Sequence, residues 1–116
     1  MYVDVPEAAK LRAEEVFGPV VVITPYDEID EAFAAINRSR FGLQASIFTR
    51  DIGAVLRAHA ELEVGALVHD DATATRIDAQ TYGGVKESGV GREGPRHAVL
   101  ELTEPRLLLL RAPNLR

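Results

Sequence analysis

Two segments of this sequence bring chemically active residue types close together. Residues 14–19 read E-E-V-F-G-P, so two acids and an aromatic ring precede a Gly-Pro turn. Residues 82–89 read Y-G-G-V-K-E-S-G and run into G-V-G-R-E-G at 89–94. Composition alone offers plain alternatives: a helix end in which Phe17 covers the core, and a flexible glycine-rich loop. Both segments therefore have to be weighed in the context of their neighbours.

The run at 89–94 matches the G-x-G-x-x-G pattern of dinucleotide-binding loops. That pattern needs a hydrophobic strand directly upstream and an acidic residue about 20 positions further on. Here K-E-S precedes it at 86–88, and the chain is at Asn114 where the acid would stand. The better local interpretation is a loop that needs positive φ at several glycines.

The histidines do not form a convincing metal site. His69 is followed by Asp70 and Asp71, with Asp78 nearby. Adjacent residues of an extended strand point to opposite sides, and no H-x-x-x-H spacing helps. A solvated strand end is the favoured interpretation, so we expect no metal. The other two histidines are expected to be structural: a half-buried core residue at 59, and at 97 a helical residue with no catalytic partner.

Nucleophilic catalysis has little support in this chain. There is no cysteine, which excludes disulfides, thiolate metal sites and any thiol nucleophile. The serines at 39, 46 and 88 lack the G-x-S-x-G turn that exposes a serine nucleophile in hydrolases.

The composition is that of an ordinary soluble domain. The 116 residues are 47% hydrophobic, enough for one domain with its own core. The 13 basic and 18 acidic residues give a net charge of −5 without a basic run, which argues against nucleic acid and anionic membranes as partners. No apolar run approaches the ~20 residues of a membrane span. No signal-peptide pattern is recognisable either, and we expect a cytoplasmic protein.

The elements that must position the two segments alternate between strand and helix. Strands are predicted at 20–23, 45–49 and 66–68. Asp27 is expected to cap a helix reaching about residue 38, whose inner face carries residues 29, 33 and 36. Asp51 is expected to cap a second helix ending near residue 63, with Ile52, Val55, Leu56 and His59 on one stripe. This order predicts an α/β fold with a parallel-type sheet layer and flanking helices.

The last third of the chain is predicted to be less regular. Residues 70–94 carry five of the nine glycines, and a loop of this length is expected to be functional, packed by a partner or mobile. Pro95 suits the first turn of a helix reaching about residue 102. Pro105 is expected to end that segment before a terminal strand at 106–111.

Taken together, the two segments resemble the C-terminal part of the aldehyde dehydrogenase superfamily. Members carry an E-E-x-F-G-P motif and, further on, P-[FY]-G-G-x-K-x-S-G-x-G-R-E-G. Other matches occur in the family's order, including D-V-P at 4–6, F-G-L at 41–43 and T-E at 103–104. Nearly the whole chain is covered, and the combination is highly specific.

The resemblance implies a fold, a reaction and a set of site residues. The family oxidises aldehydes to acids with NAD(P), through a cysteine thiolate. In the family that cysteine and the nucleotide-binding domain lie upstream of the segment that resembles this chain. Glu15 matches a glutamate that binds the nicotinamide ribose, and Phe17 an aromatic beside the nicotinamide. Tyr82 matches an aromatic lining the aldehyde pocket, and Glu93 a glutamate on a water or proton path.

The chain also departs from the family pattern near the pocket. Many relatives have V-N-D where this chain has V-H-D at 68–70, and Q-T at 80–81 replaces a common proline. The sequence starts at the edge of what the family builds as a strand, as if a longer reading frame had been cut.

We therefore expect a single domain over 1–116 that is inactive alone and binds no cofactor by itself. Apolar surface that upstream parts would cover is expected to drive homo-oligomerisation through residues 106–111. Two alternatives stay open. The chain could be one subunit of a split dehydrogenase completed by a separate upstream chain, or a non-catalytic oligomerisation or partner-binding module.

Overall fold

The computed structural model describes residues 1–111. The strands are β1 Tyr2–Val3, β2 Val22–Ile23, β3 Phe41–Gly42, β4 Gln44–Ile47, β5 Ala66–His69 and β6 Val85–Lys86. The helices are α1 Lys10–Ala13, α2 Ile29–Asn37, α3 Ile52–Glu61 and α4 Pro95–Glu101. The predicted α/β class is confirmed.

The strands form three separate pairs in place of one continuous layer. β4 and β5 are parallel and in register from Gln44 opposite Ala66 to Ile47 opposite His69, with α3 as the crossover between them. β1 pairs with β2 in parallel, and β3 pairs with β6 in antiparallel fashion. The parallel crossover around α3 is thus as predicted. The strand predicted at 20–23 is shorter and pairs with the first residues of the chain.

The core of the described residues is small, and its members lie on α2, β4 and α3. The buried apolar residues of the described chain are Phe33, Ala45 and Ala58. On α2, Phe33 is flanked by partly buried residues at 29 and 36, so its predicted inner face is confirmed.

On α3 the predicted inner stripe of residues 52, 55, 56 and 59 is wrong at three of its four positions, and Val55 alone of the four is partly buried. Ala58 is fully buried and Ala54 is partly buried, whereas Ile52 and Leu56 are about two-thirds exposed. His59, expected to be half-buried, is exposed as well. The small alanine side chains let the backbone of α3 approach β5 closely, and Ile52 and Leu56 are left outside.

The helix ends agree with the sequence in two of three cases. The Asp51 Oδ1 accepts a hydrogen bond from the Gly53 N–H at 2.8 Å, as expected of an N-cap. α4 begins at Pro95, as predicted. Asp27 is not the cap of α2, because that helix begins two residues later, at Ile29.

The predicted terminal strand is absent from the single chain. Residues 106–111 have no strand structure, and Leu107 to Leu110 are 71–89% exposed. A strand needs a hydrogen-bonded neighbour, and the described part of this chain offers none to this segment.

The molecule is elongated. Its radius of gyration is 20.9 Å and its principal extents are 79 × 33 × 22 Å, whereas a compact domain of about 100 residues has a radius near 13 Å. Many large apolar side chains are exposed along it, among them Phe17, Phe48, Val99 and Leu100. No helix within residues 1–111 has the length and apolar character to cross a membrane.

Candidate functional site

Tyr82 and Glu93 are brought together by the folding of the glycine-rich loop. The Tyr82 N–H donates to the Glu93 carbonyl at 3.1 Å, and the Glu93 N–H donates to the Tyr82 carbonyl at 2.6 Å. This isolated antiparallel bridge places two residues singled out in the sequence side by side. The tyrosine is partly buried, whereas the glutamate is exposed.

A third side chain, Arg76, joins this pair. Its guanidinium carbon lies 4.6 Å from the centre of the Tyr82 ring. Its Nη2 donates to the Glu93 Oε2 at 2.7 Å. Sequence reasoning missed Arg76. The available signal was a lone arginine six residues before the pocket aromatic, in a stretch otherwise free of basic residues between His69 and Lys86.

Arg76 and Tyr82 border a cavity of about 260 Å³ beside the β4–β5 pair, whereas Glu93 is not among its lining residues. Its wall combines the edge of the two strands with the start of the long loop. The lining consists of Gln44, Ala66, Leu67, Val68, His69, Thr75, Arg76, Ile77, Gln80, Thr81 and Tyr82. Among the described residues that line the cavity there is no carboxylate, and Arg76 is the one permanently charged side chain. Its guanidinium is paired with Glu93 at 2.7 Å and lies 4.0 Å from Asp78.

The turn that precedes Arg76 is tied by Asp71. Its Oδ2 accepts from the Thr75 hydroxyl at 2.6 Å, and its Oδ1 accepts from the Ala72 N–H at 2.7 Å. These bonds favour the carboxylate form, so the pKa of Asp71 is lowered from its ordinary value, chiefly by Thr75. The carboxylate and the turn it closes are therefore present together at neutral pH.

The glycines of the loop serve its backbone, as the sequence predicted. Gly83, Gly89 and Gly94 have φ values of 152°, 153° and 119°. Arg92 fastens the loop from inside, since its Nη1 donates to the carbonyls of Gly84 and Gly91 at 2.7 and 2.8 Å. The loop is thus a defined structure on which Tyr82 and Glu93 are mounted.

Lys86 fixes the loop to the helices. Its Nζ donates to the Asn37 carbonyl at 2.7 Å and to the Ser39 carbonyl at 3.1 Å, and pairs with the Glu63 Oε2 at 2.8 Å. Asn37 in turn accepts from the Glu63 N–H and donates to the Glu61 carbonyl. The sequence did not indicate this junction of the ends of α2, α3 and the loop.

Glu15 and Phe17 lie apart from this group in sequence, in the segment between α1 and β2. Phe17 is 95% exposed, so the alternative in which its ring covers the core is wrong. Glu15 is exposed and helps line an open cavity of about 420 Å³. Within residues 1–111, no hydrogen bond or ion pair joins Glu15 to Tyr82 or Glu93. The roles that the resemblance implies for Glu15 and Phe17 stay predictions.

No group of three His, Asp or Glu side chains in the described part of the chain is arranged to hold a metal ion. His69 lies at the end of β5 with its Nε2 2.8 Å from the Thr49 carbonyl. Its ring is thus engaged by the backbone of a neighbouring loop.

Comparison with known proteins gives consistent matches over almost the whole chain. Residues 1–108 match the model of the Aldehyde dehydrogenase family. The chain is 49% identical over 107 residues to 3-sulfolactaldehyde dehydrogenase of Priestia megaterium, covering 92% of this chain and 22% of that protein.

Solved structures show the same likeness. Aldehyde dehydrogenase 21 from Physcomitrella patens, in complex with the reaction product succinate, superposes with a TM-score of 0.87 at 41% identity. That match covers 94% of this chain and 23% of the matched protein. The NADP-dependent glyceraldehyde-3-phosphate dehydrogenase from Bacillus halodurans, complexed with NADP, gives 0.84 at 38% identity, covering 90% and 22% of the two chains. This chain thus spans between a fifth and a quarter of the proteins it matches.

Proposed function

The chain belongs to the aldehyde dehydrogenase family, and we propose that it supplies the C-terminal part of the catalytic region of such an enzyme without being active alone. The observation that carries the proposal is the complete absence of cysteine. Without a thiolate, the covalent intermediate with the aldehyde has no sulfur to form on. The nucleophile must come from another part of the enzyme, on the same polypeptide or on a separate upstream chain.

The hydroxyl groups of the chain do not replace that thiolate. The Oγ of Ser39 accepts from the Phe41 N–H at 3.1 Å, and the Oγ of Ser88 accepts from the Gly42 N–H at 2.9 Å. The Ser46 Oγ is buried without a hydrogen-bond partner. A serine nucleophile needs an adjacent general base, and within the described residues none of these three hydroxyls contacts one.

The cofactor in this proposal is NAD or NADP, bound mainly by the upstream part. The exposed Glu15 carboxylate suits the ribose hydroxyls, and the exposed Phe17 ring suits the nicotinamide side of the site. Hydrogen bonds to a charged group contribute roughly 1.5–3 kcal/mol each, whereas association costs about 4–15 kcal/mol. Two such bonds leave no useful affinity, so the chain alone is expected not to hold the nucleotide.

The substrate in this proposal is an aldehyde that carries an acid group. The compounds named with the three similar proteins are 3-sulfolactaldehyde, succinate and glyceraldehyde-3-phosphate. Their acid groups differ, being a sulfonate, a carboxylate and a phosphate. All three compounds are short anionic molecules. Tyr82 would line the pocket that receives the aldehyde, and Glu93 would stand on the water or proton path behind it.

A graft tests the proposal directly. The 107 matching residues of the Priestia megaterium enzyme would be replaced by this chain, and reduction of NAD or NADP would be followed with 3-sulfolactaldehyde. We expect no turnover by the 116-residue chain alone. The chimera should regain a turnover rate within roughly tenfold of that of the parent enzyme, which corresponds to an activation free energy at most about 1.4 kcal/mol higher. A matched chimera whose upstream catalytic cysteine is replaced by serine should be inactive. Aldehyde oxidation by the isolated chain, or a folded chimera that binds cofactor yet turns nothing over, would contradict the proposal.

Self-association is the second part of the proposal. The segment 106–111 presents four exposed leucines and unpaired backbone groups, a combination that favours pairing with a second copy. We expect light scattering at tens of micromolar protein to show an oligomer, because a micromolar or tighter subunit affinity leaves most chains associated at that concentration. Replacing Leu107 and Leu109 by lysine should shift it to monomer, while the matched change Val90→Lys at a fully exposed loop position should not. A stable wild-type monomer would refute homo-oligomerisation.

The cytoplasmic location expected from the sequence stays a prediction.

A further inference from the structure

We propose that His97 is a positioning residue for the aldehyde pocket, because its hydrogen bond to Thr81 fixes the segment that carries the Tyr82 ring. This inference rests on the proposed function, in which Tyr82 lines the pocket. It assigns a role to a histidine that lies outside both motifs. The argument depends on the contacts between α4 and residues 80–82 and on the residue type at position 81.

The first step is the side-chain contact between α4 and the residue before Tyr82. His97 stands in the first turn of the helix, and its Nε2 lies 3.1 Å from the Thr81 Oγ1. A threonine hydroxyl can donate to a bare ring nitrogen or accept from a ring N–H, so either tautomer of the imidazole makes this bond. The bond ties the helix directly to the neighbour of the pocket tyrosine.

The second step is the close approach of the two backbones at the same place. The N–H groups of Tyr82 and Glu93 donate to each other's carbonyls. A Cβ on Gly94, directly before α4, would stand 2.9 Å from the Gln80 carbonyl oxygen. The start of α4 therefore lies against residues 80–82, and a shift of one would be felt by the other.

The third step is what else restrains the residue before the tyrosine. The motif that this segment resembles has proline where this chain has Thr81, and a proline ring fixes φ near −65°. Threonine lacks that restriction, and Gly83 on the other side of Tyr82 is the residue type with the greatest backbone freedom. Among the hydrogen bonds of residues 1–111, the contact with His97 is the only one that Thr81 makes. That contact therefore supplies the restraint that proline would supply.

The kinetics of the chimera test this role. In His97→Leu the KM for 3-sulfolactaldehyde should rise roughly three- to tenfold, the range expected for one hydrogen bond between neutral groups, while the KM for the cofactor changes little. His97→Gln carries an amide of similar reach and should restore the wild-type KM. The exposed neighbour on α4 gives the matched control, Arg96→Gln, which should behave like wild type. An unchanged aldehyde KM in His97→Leu, an equal rise for aldehyde and cofactor, or no rescue by glutamine would overturn the inference.

Two double variants show whether the effect passes through Thr81 and Tyr82. Thr81→Val removes the hydroxyl and keeps the side-chain shape, so adding His97→Leu should cause no further loss. Tyr82→Ala removes the ring that is being positioned, so His97→Leu should change the aldehyde KM little in that background as well. Additive losses in either background would show that His97 acts elsewhere and would overturn the inference.

A fluorine probe reads the same coupling in the full 116-residue chain without requiring catalysis. Labelling with 3-fluorotyrosine gives one resonance for each of the three tyrosines, and Tyr82→Phe identifies the one from Tyr82. Because that ring lies 4.6 Å from the Arg76 guanidinium carbon, its resonance responds to a displacement of the ring. We expect the resonance to shift or broaden in His97→Leu and to return in His97→Gln.

The two experiments separate this inference from the proposed function. An unchanged Tyr82 resonance in His97→Leu would overturn the positioning role. An inactive chimera beside a resonance that still depends on His97 would defeat the proposed function and leave the positioning role standing. If the free chain does not fold, the kinetic comparison in the chimera decides.

Discussion

Gly65→Ala is expected to abolish cooperative folding of this chain. Gly65 begins the turn into β5, and its N–H donates to the carbonyls of Gly42 and Leu43 at 3.0 and 3.1 Å. A Cβ at this position would overlap the carbonyl oxygen of Gly83 and stand 3.0 Å from that of Leu43. Both oxygens belong to the backbone, so no side-chain rotation can move them out of contact. The turn before β5 and the start of the glycine-rich loop would have to separate.

The expected loss is more than about 4 kcal/mol, the upper end of single-substitution effects. A whole domain is stable by only about 5–15 kcal/mol, and here the buried apolar residues in the described part of the chain are three. Urea unfolding followed by circular dichroism should therefore show a cooperative transition for wild type and none for the variant.

Gly18→Ala is the matched control, because a Cβ there would meet nothing within 4 Å. The same methyl group is added, and the unfolding curve should stay near that of wild type. A Gly65→Ala chain as stable as Gly18→Ala would mean that the two loops do not approach each other in solution.

The elements predicted correctly from the sequence are those decided by local chemistry. The aspartate cap at Asp51, the proline start of α4 and the apolar face of α2 around Phe33 each depend on residues within one or two turns. Gly83, Gly89 and Gly94 likewise follow a local demand for positive φ. Features of this kind can be predicted without knowing which surfaces the element packs against.

The errors arise where a distant surface decides. On α3 the close approach to the sheet selects the side of Ala54 and Ala58, although Ile52 and Leu56 made the stronger hydrophobic stripe. The terminal segment 106–111 has strand-like composition, yet without a neighbour it forms no ladder. In both cases the structure depends on the surface or strand that packs against the segment, and the spacing of apolar residues does not identify that neighbour.

The candidate site divides in the same way. Tyr82 and Glu93 were singled out by motif, and the structure pairs them through the backbone. Arg76 belongs to no motif and enters only through its distances to that pair. Glu15 and Phe17 are known as candidates by resemblance alone, because their side chains are exposed and no hydrogen bond or ion pair within residues 1–111 joins them to Tyr82 or Glu93.

Lys86→Met is expected to destabilise the chain by about 3 kcal/mol, because two hydrogen bonds from a charged donor are lost. The lysine side chain is only 22% exposed, and its Nζ binds two backbone carbonyls at the end of α2, at Asn37 and Ser39. Methionine has a similar length but no donor, so both carbonyls lose their charged partner. Because Lys86 holds β6 against these helix ends, the loop carrying Tyr82 and Glu93 should loosen as well.

Two further variants separate the sources of this effect. Glu63→Gln removes the ion pair at 2.8 Å with an acid that is 62% exposed, and should cost less than about 1 kcal/mol because exposed pairs contribute little. Lys86 also has a φ of 54°, a left-handed conformation that costs a side-chain-bearing residue about 1–2 kcal/mol. Lys86→Gly removes that strain together with the donor, so it should be less destabilising than Lys86→Met. Urea midpoints of the three variants give the ranking, and a Glu63→Gln loss as large as that of Lys86→Met would show that the ion pair, and not the carbonyl contacts, fastens the loop.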